Sequence, residues 1–138
     1  MSNLQIVGLG LTALDVLIRL ERLPTWERPT AVKSFAFDGG GMVGTAMVAA
    51  ARLGARVGYL GVRGNDSVAD LKMLSLSAEG VDVSRMVTLD MPEPEVVFVY
   101  VDAQTGERIF CGLETLRRDY YPPEALDSTY LTAADYLL

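Results

Sequence analysis

The stretch Asp38–Gly54, DGGGMVGTAMVAAARLG, with ARVGYLGV behind it, limits the fold more than any other part of this sequence. Three successive glycines let the backbone turn tightly and approach another group closely. Met42–Leu53 is rich in Ala and Met and apolar on nearly all sides, which predicts a buried helix closed by Gly54. Arg56–Val62 then reads as one continuous apolar strand, the pattern of a strand covered on both faces. Leu4–Leu9 is a second apolar run, so strand, helix and strand predict a right-handed crossover in a parallel sheet.

Ile6–Leu20, IVGLGLTALDVLIRL, makes a competing demand. Gly8-Leu9-Gly10-Leu11-Thr12-Ala13 fits the G-x-G-x-x-G/A turn of dinucleotide-binding domains. Such a turn leads straight into a helix whose N-terminus faces the pyrophosphate, and a second strand follows that ends in an acidic residue. Here Val16, Ile18 and Leu20 alternate with Leu17, Arg19 and Glu21, the period of a half-exposed strand. The run stops at Leu23-Pro24, and polar, proline-broken TWERPTAVKSFAFD follows. A dinucleotide domain is therefore a distant reading, and the glycines mark a strand end.

Thr30–Asp38 reads as another strand of an exposed sheet. VVFVYVDAQTGERIFCGL reads as a hairpin, in which Val97, Val99 and Val101 alternate with Phe98, Tyr100 and Asp102, and Ala103–Gly106 forms the turn. NDSVADLKMLSLSAEGVD is a second helix, with Ser67 as its N-cap, Asp70 completing a capping box and Gly80 closing it. DYYPPEALDSTYLTAADYLL gives a Pro-started short helix and a new strand at Asp135–Leu138. Uniformly apolar strands belong between helices, and alternating ones belong in a sheet with one open face. An α/β layer with an inserted β-sheet accommodates both. The α/β part falls at about 1–11, 39–84 and 114–138, and the inserted sheet at about 12–38 and 85–113.

The 138 residues suffice for one domain with a core. A net charge of -6, from 12 basic and 18 acidic residues, argues against a nucleic-acid partner, which needs a clustered basic face. Without histidine and with one cysteine, the chain has no intrachain disulfide, no Cys/His zinc site and no His-based triad. Cys111, in the strand-like run RIFCGL, reads as a buried, inert thiol. The start lacks a basic segment followed by an apolar one, and no apolar run approaches the ~20 residues of a membrane span. The expectation is a cytoplasmic protein with no membrane partner. The last residues, ADYLL, stop inside what reads as a buried strand, which suggests a piece of a larger protein or a surface that docks on one.

GGMVGTAMVAAARLG followed by ARVGYLGVRGNDSVADLKMLSLSAEGVDVSRM resembles the first signature of the ribokinase-like (PfkB) carbohydrate kinases. IVGLGLTALDVLIRLERLP resembles that family's opening strand and first lid strand, and VVFVYVDAQTGERIF its later lid hairpin. The likeness covers nearly the whole chain in the correct order and corresponds to the N-terminal half of such a kinase. It implies a partial ribokinase-like fold, a three-layer parallel sheet with an inserted β-sheet lid. A sugar or nucleoside would lie between the two.

By this resemblance the substrate-binding aspartate after the first strand falls on Asp15, and the paired glycines fall on Gly40 and Gly41. A carboxylate accepts hydrogen bonds from two adjacent hydroxyls. The family's usual asparagine falls on Thr45, which has one hydroxyl where the amide has two donors, and that bears on the choice of substrate. Asp66 matches the G-x-D turn, with Ala69 where glycine is common, and reads as fixing the start of the second helix. Arg108 reads as a solvated face and Trp26 as packing within the lid. The family's catalytic base is an aspartate in a Gly-Ala-Gly-Asp-like motif, and this chain has no such motif. The chain therefore holds no catalytic residue and no metal ligand of its own. ATP and Mg remain implied by the family, with the nucleotide site largely outside these residues. The resemblance also implies a homodimer through the lid. The reading is the substrate-binding and lid portion of an ATP-dependent sugar kinase, inactive alone. Its alternative is a non-catalytic sugar-binding or dimerisation module of the same ancestry.

Overall fold

Gly8 sets how closely the first helix can lie on the first strand. In a computed structural model of the chain, which describes residues 4–117 and 120–138, a β-carbon at Gly8 would stand 2.7 Å from Val43 and 2.9 Å from Met47. Both belong to helix α1 (Met42–Arg52), which packs on strand β1 (Ile6–Leu9) through this missing side chain. The first glycine of the apparent dinucleotide turn thus serves helix packing. Strand β2 (Ala13–Leu20) follows the turn, as the alternation predicts.

β1 lies at the centre of a parallel sheet, between β4 (Val57–Leu60) and β9 (Tyr136–Leu137). Met47 of α1 packs with Val57, Tyr59, Leu76 and Val81 in one apolar cluster. Leu4, Val7 and Leu60 form a second cluster with Tyr130 and Leu131, from helix α3 (Ser128–Thr132). The sheet is therefore covered by helices on both faces, which gives three layers, and all of β4 is buried.

A second sheet has the order β3 (Val32–Gly40), β2, β7 (Val96–Asp102), β8 (Arg108–Gly112). β2 runs antiparallel to β3 and parallel to β7, and β7–β8 is the expected hairpin. Asp102 stabilises its turn by accepting from the N–H groups of Gln104 and Thr105, and Gly106 takes φ +75°. Helix α2 (Ser67–Ser77) lies against β3 and β2.

Several expectations need correction. Arg56–Val62 is not one strand: it breaks at Gly61, and β5 (Val62–Arg63) pairs instead with β6 (Val87–Thr88). The Tyr59 ring lies against Gly61 where a β-carbon would be. α1 is covered on one face only, with Gly44 and Met47 buried and Met42 82% exposed. Alanine is too small to mark the outward face as polar or apolar. The cap of α2 is Asp66, whose side chain accepts from the Ala69 N–H at 3.0 Å, and Ser67 is the first helical residue. The structural role read for Asp66 is thus the observed one.

The exposed second sheet accounts for the other differences. Cys111 is exposed because β8 has no covering layer. Trp26 is fully solvent-exposed, not packed. Arg108 is exposed as expected and lies 5.8 Å from the Phe110 ring centre. Near the end of the chain, Pro123–Ala125 is a 3-10 turn, and α3 is a separate helix capped by Asp127. Among the described residues, no helix is long and apolar enough to cross a membrane.

Candidate functional site

The β2–β3 register brings three of the four predicted residues together. Ala13 pairs with Gly40 and Asp15 with Asp38, so Gly40 lies diagonally beside Asp15. The Asp15 carboxylate folds over the bare α-carbon of Gly40, where a β-carbon would stand 2.5 Å from Oδ2 of Asp15. Any larger residue there would displace that carboxylate. At Gly41 glycine is required for conformation as well, because φ is +81° and a β-carbon would stand 2.6 Å from the Leu11 carbonyl oxygen. Two of the three glycines lie in β3 and only Gly41 makes the turn, a shift from the expected glycine loop.

Gly41 is the N-cap of α1, and no side chain caps that helix end. Leu11 accepts from the Gly44 N–H at 3.2 Å, and Thr45 donates its own N–H to Gly41. Thr45 is exposed on the first turns of α1, one step beyond the Asp15–Gly40–Gly41 group.

Asp15 is half-buried and, among the described residues, has no hydrogen-bond donor facing it. Burial, and then the Asp38 carboxylate paired opposite, push its carboxyl above the usual aspartate range. Asp38 itself accepts from the Gly39 N–H. A carboxylate without a protein donor, beside bare backbone and an uncapped helix start, suits a ligand that brings its own hydroxyl donors.

Thr12 escaped the sequence reading. It is fully buried and its hydroxyl donates to the Gly40 carbonyl at 3.3 Å, tying β2 to the glycine turn. Gly44 leaves room for it, since a β-carbon there would stand 2.8 Å from the Thr12 Cβ.

A buried ionic cluster also escaped it. Lys72 of α2 has no exposed side-chain surface and donates to the Val62 carbonyl at 2.9 Å, Glu93 at 2.6 Å and Glu95 at 2.7 Å. Glu93 also accepts from the N–H groups of Gly64 and Glu95. The pattern Ala69, Lys72, Leu76 carried a signal, since all three fall on the buried stripe of α2. The glutamates flank Pro94 in a segment that reads as a polar spacer. Glu95 meets the four-stranded sheet directly, its carbonyl accepting from Leu14 N–H one residue before Asp15. Burial, with a smaller contribution from Glu93, raises the Glu95 carboxyl against the opposing pull of Lys72. Tyr59 donates its hydroxyl to the Gly10 carbonyl; burial, then Glu95 and Glu93, keep it from ionising.

Among the described residues, no three His, Cys, Asp or Glu side chains are grouped to hold a metal ion.

Comparison with known proteins gives a consistent result. A family model described as pfkB family carbohydrate kinase matches residues 3–138. An ATP-dependent ribose-1-phosphate kinase of Halopiger xanaduensis is 26% identical over 133 residues, which is 96% of this chain. The chain spans 44% of that relative's length. A fructokinase structure from Xylella fastidiosa superposes with a TM-score of 0.75 at 27% identity, over 96% of this chain and 39% of the other. An Arabidopsis thaliana ribokinase complexed with ribose and ATP superposes with a TM-score of 0.66 at 20% identity, over 78% and 35%.

Proposed function

The chain belongs to the pfkB family of carbohydrate kinases, and on that premise we propose that it forms the sugar-binding wall and lid of an ATP-dependent kinase that phosphorylates a carbohydrate hydroxyl. One observation carries the reading: the donor-free Asp15 carboxylate folded over Gly40, at the turn that starts α1. Asp15 accepts hydrogen bonds from neighbouring sugar hydroxyls. Gly40 and Gly41 let the sugar come close to the backbone, and the Thr45 hydroxyl adds a contact from the first turns of α1. The four-stranded sheet, rooted beside this site, acts as the lid.

ATP-dependence is the family's property. The sequence holds no Gly-Ala-Gly-Asp-like motif to supply the base for the acceptor hydroxyl, so no chemical step is assigned to these 138 residues. Positioning and charge stabilisation dominate phosphoryl transfer, and without the groups that receive the transferring phosphoryl there is no useful rate. The chain alone is expected to show no turnover with ATP and magnesium across a panel of sugars and nucleosides. It is expected to bind a sugar at about millimolar affinity, from a few exposed hydrogen bonds of ~1 kcal/mol each. Asp15→Ala should remove that binding. Robust turnover by the chain alone overturns the reading.

The exposed apolar face of the four-stranded sheet supports a homodimer through the lid, and with it the module reading. Phe35 is 64% exposed and Phe37 51%, their rings meeting edge to face. Paired residues in adjacent strands share a face, so Ile18 and Tyr100 lie with them. Sedimentation is expected to show a dimer at high micromolar concentration, and a monomer there removes this part. A cytoplasmic location accords with the family's sugar substrates.

A further inference from the structure

The side chains of the four-stranded sheet divide between two faces. Asp15 and the candidate site lie on one, and Val16, Ile18, Phe35, Phe37, Phe98 and Tyr100 lie on the other. Helix α2 covers the root of this second face, where Ser75 stands against Gly39. Beyond it lies an apolar groove of ≈ 470 Å³. Its floor is the paired row of Phe37, Val16 and Phe98, and Val68 and Leu71 of α2 form one wall. Phe37 and Leu71 are solvent-exposed.

The far end of the same face carries a feature of the opposite shape. Residues 21–31 connect β2 to β3, and Arg22 and Leu23 of this loop fold toward Tyr100 and Ile109 on that face. Thr25 and Arg28 exchange both backbone hydrogen bonds, at 3.1 and 3.2 Å, and Arg22 donates to the Pro29 carbonyl at 2.7 Å. Trp26 and Glu27 are therefore the two central residues of a braced turn, and the Trp26 side chain stands wholly in solvent. A ring held out on a braced turn gives up little conformational freedom when it docks.

We propose that Trp26 docks in the groove of a second copy of the chain, in a two-fold dimer whose sheets face each other with the tip of one over the root of the other. The proposal rests on the lid-dimer part of the reading above. Antiparallel stacking brings each tip to the partner's root, where the groove lies. Parallel stacking would set Trp26 against Trp26 and leave both grooves open. Area favours a second copy as the occupant. Beyond α2 the face spans about three rows of side chains on four strands, ~20 Å by ~20 Å, or roughly 400 Å². A stable interface buries about 800 Å² per partner. A tryptophan ring buries ~150–250 Å². In a two-fold interface each copy both gives a ring and receives one, so rings and grooves together supply the missing area.

The chain has one tryptophan and one cysteine, so the tip and the face report separately. Cys111 pairs with Phe98 and is exposed on the same face. Over a dilution series followed by sedimentation, the Trp26 emission of the wild type is expected to shift to the blue as dimer forms, and Cys111 to react more slowly with a water-soluble maleimide. Trp26→Ala should weaken the dimer at least about tenfold. Leu71→Glu, at a position already in solvent, should weaken it severalfold and abolish the blue shift. Added to Trp26→Ala, it should weaken the dimer little further. If the wild type dimerises and shields Cys111, while Trp26 emission stays constant and Trp26→Ala leaves the dimer unchanged, this proposal falls and the lid dimer stands. If Trp26→Ala weakens the dimer and Leu71→Glu does not, the ring has another seat and the groove is overturned. A monomer at high micromolar concentration removes both.

Discussion

β4 and β3 are built from similar residues and meet opposite fates. β4, with Val57, Tyr59 and Leu60, is buried throughout between two helical layers. β3, with Val32, Phe35 and Phe37, is exposed at every residue but Gly40. The apolar content of a strand therefore does not fix its burial; the elements that cover it do. The first sheet is held by packing. The second is anchored at its root, where Glu93 and Glu95 enter β7 under Lys72 and where α2 lies beneath β2 and β3. The candidate site lies where the two regimes meet.

Breaking the anchor should have the largest effect on that contrast. Lys72→Met leaves two buried carboxylates without their counter-ion and should cost about 3–5 kcal/mol in urea unfolding. Lys72→Met combined with Glu93→Gln and Glu95→Gln removes the charges together and should recover most of the loss. A cost under ~1 kcal/mol for the single change would mean that water reaches the cluster and that the second sheet is held by something else.

The two sheets themselves can be weighed next. Leu60→Ala, at a fully buried position, should cost about 2–5 kcal/mol. Phe35→Ala should stay within ~0.5 kcal/mol at low protein concentration. A Phe35→Ala penalty that grows with protein concentration would show a second copy covering the exposed face, and the contrast would then belong to the isolated chain alone.

A smaller contrast separates two positive-φ glycines. Gly106, at the hairpin tip, has nothing within 4 Å of a would-be β-carbon, so Gly106→Ala should cost only the ~1–2 kcal/mol of left-handed backbone. Gly41→Ala bears the same strain and also pushes on the Leu11 carbonyl and the Thr12 backbone. It should cost more than Gly106→Ala in thermal unfolding and should also abolish sugar binding. Equal costs would show that the turn at Gly41 yields freely.

What the sequence disclosed divides along the same line. The strands of both sheets were legible from period and from turn residues, because these are local signals. The glycine run at 39–41 was legible as a turn that permits close approach, and Asp15 only through family resemblance; their convergence depends on the β2–β3 register, which no local pattern states. The misses are long-range. β4 ends at Gly61 because β1 ends opposite Leu60 and the chain beyond pairs with β6, and Cys111 is exposed because no layer covers β8. Lys72 finds partners that stand 21 and 23 residues away. Its place on the buried stripe of α2 was visible in the spacing, but the Glu-Pro-Glu that answers it looked like a spacer.

The smallest expected stability effect bears most directly on function. Asp15 is held above the usual aspartate range, by burial first and by Asp38 second. For an acid raised on folding, the folded state binds its proton more readily than the unfolded chain does. The favourable contribution is therefore fully present below the ordinary aspartate pKa and is lost as pH rises through the raised folded value. At neutral pH the ionised Asp15 is a net strain on the fold. Asp15→Asn should then be slightly more stable than the wild type at pH 7, by less than ~1 kcal/mol for a half-exposed like-charge pair, and indistinguishable from it below the ordinary aspartate range. Sugar binding should move the opposite way, weakened in Asp15→Asn at pH 7 because the amide offers one acceptor where the carboxylate offers two. Thermal unfolding against pH, with and without millimolar sugar, reads both effects. A neutral-pH loss of stability in Asp15→Asn would make the carboxylate a structural element of the glycine turn; a small gain, paired with lost affinity, marks a charge kept for its ligand at the fold's expense.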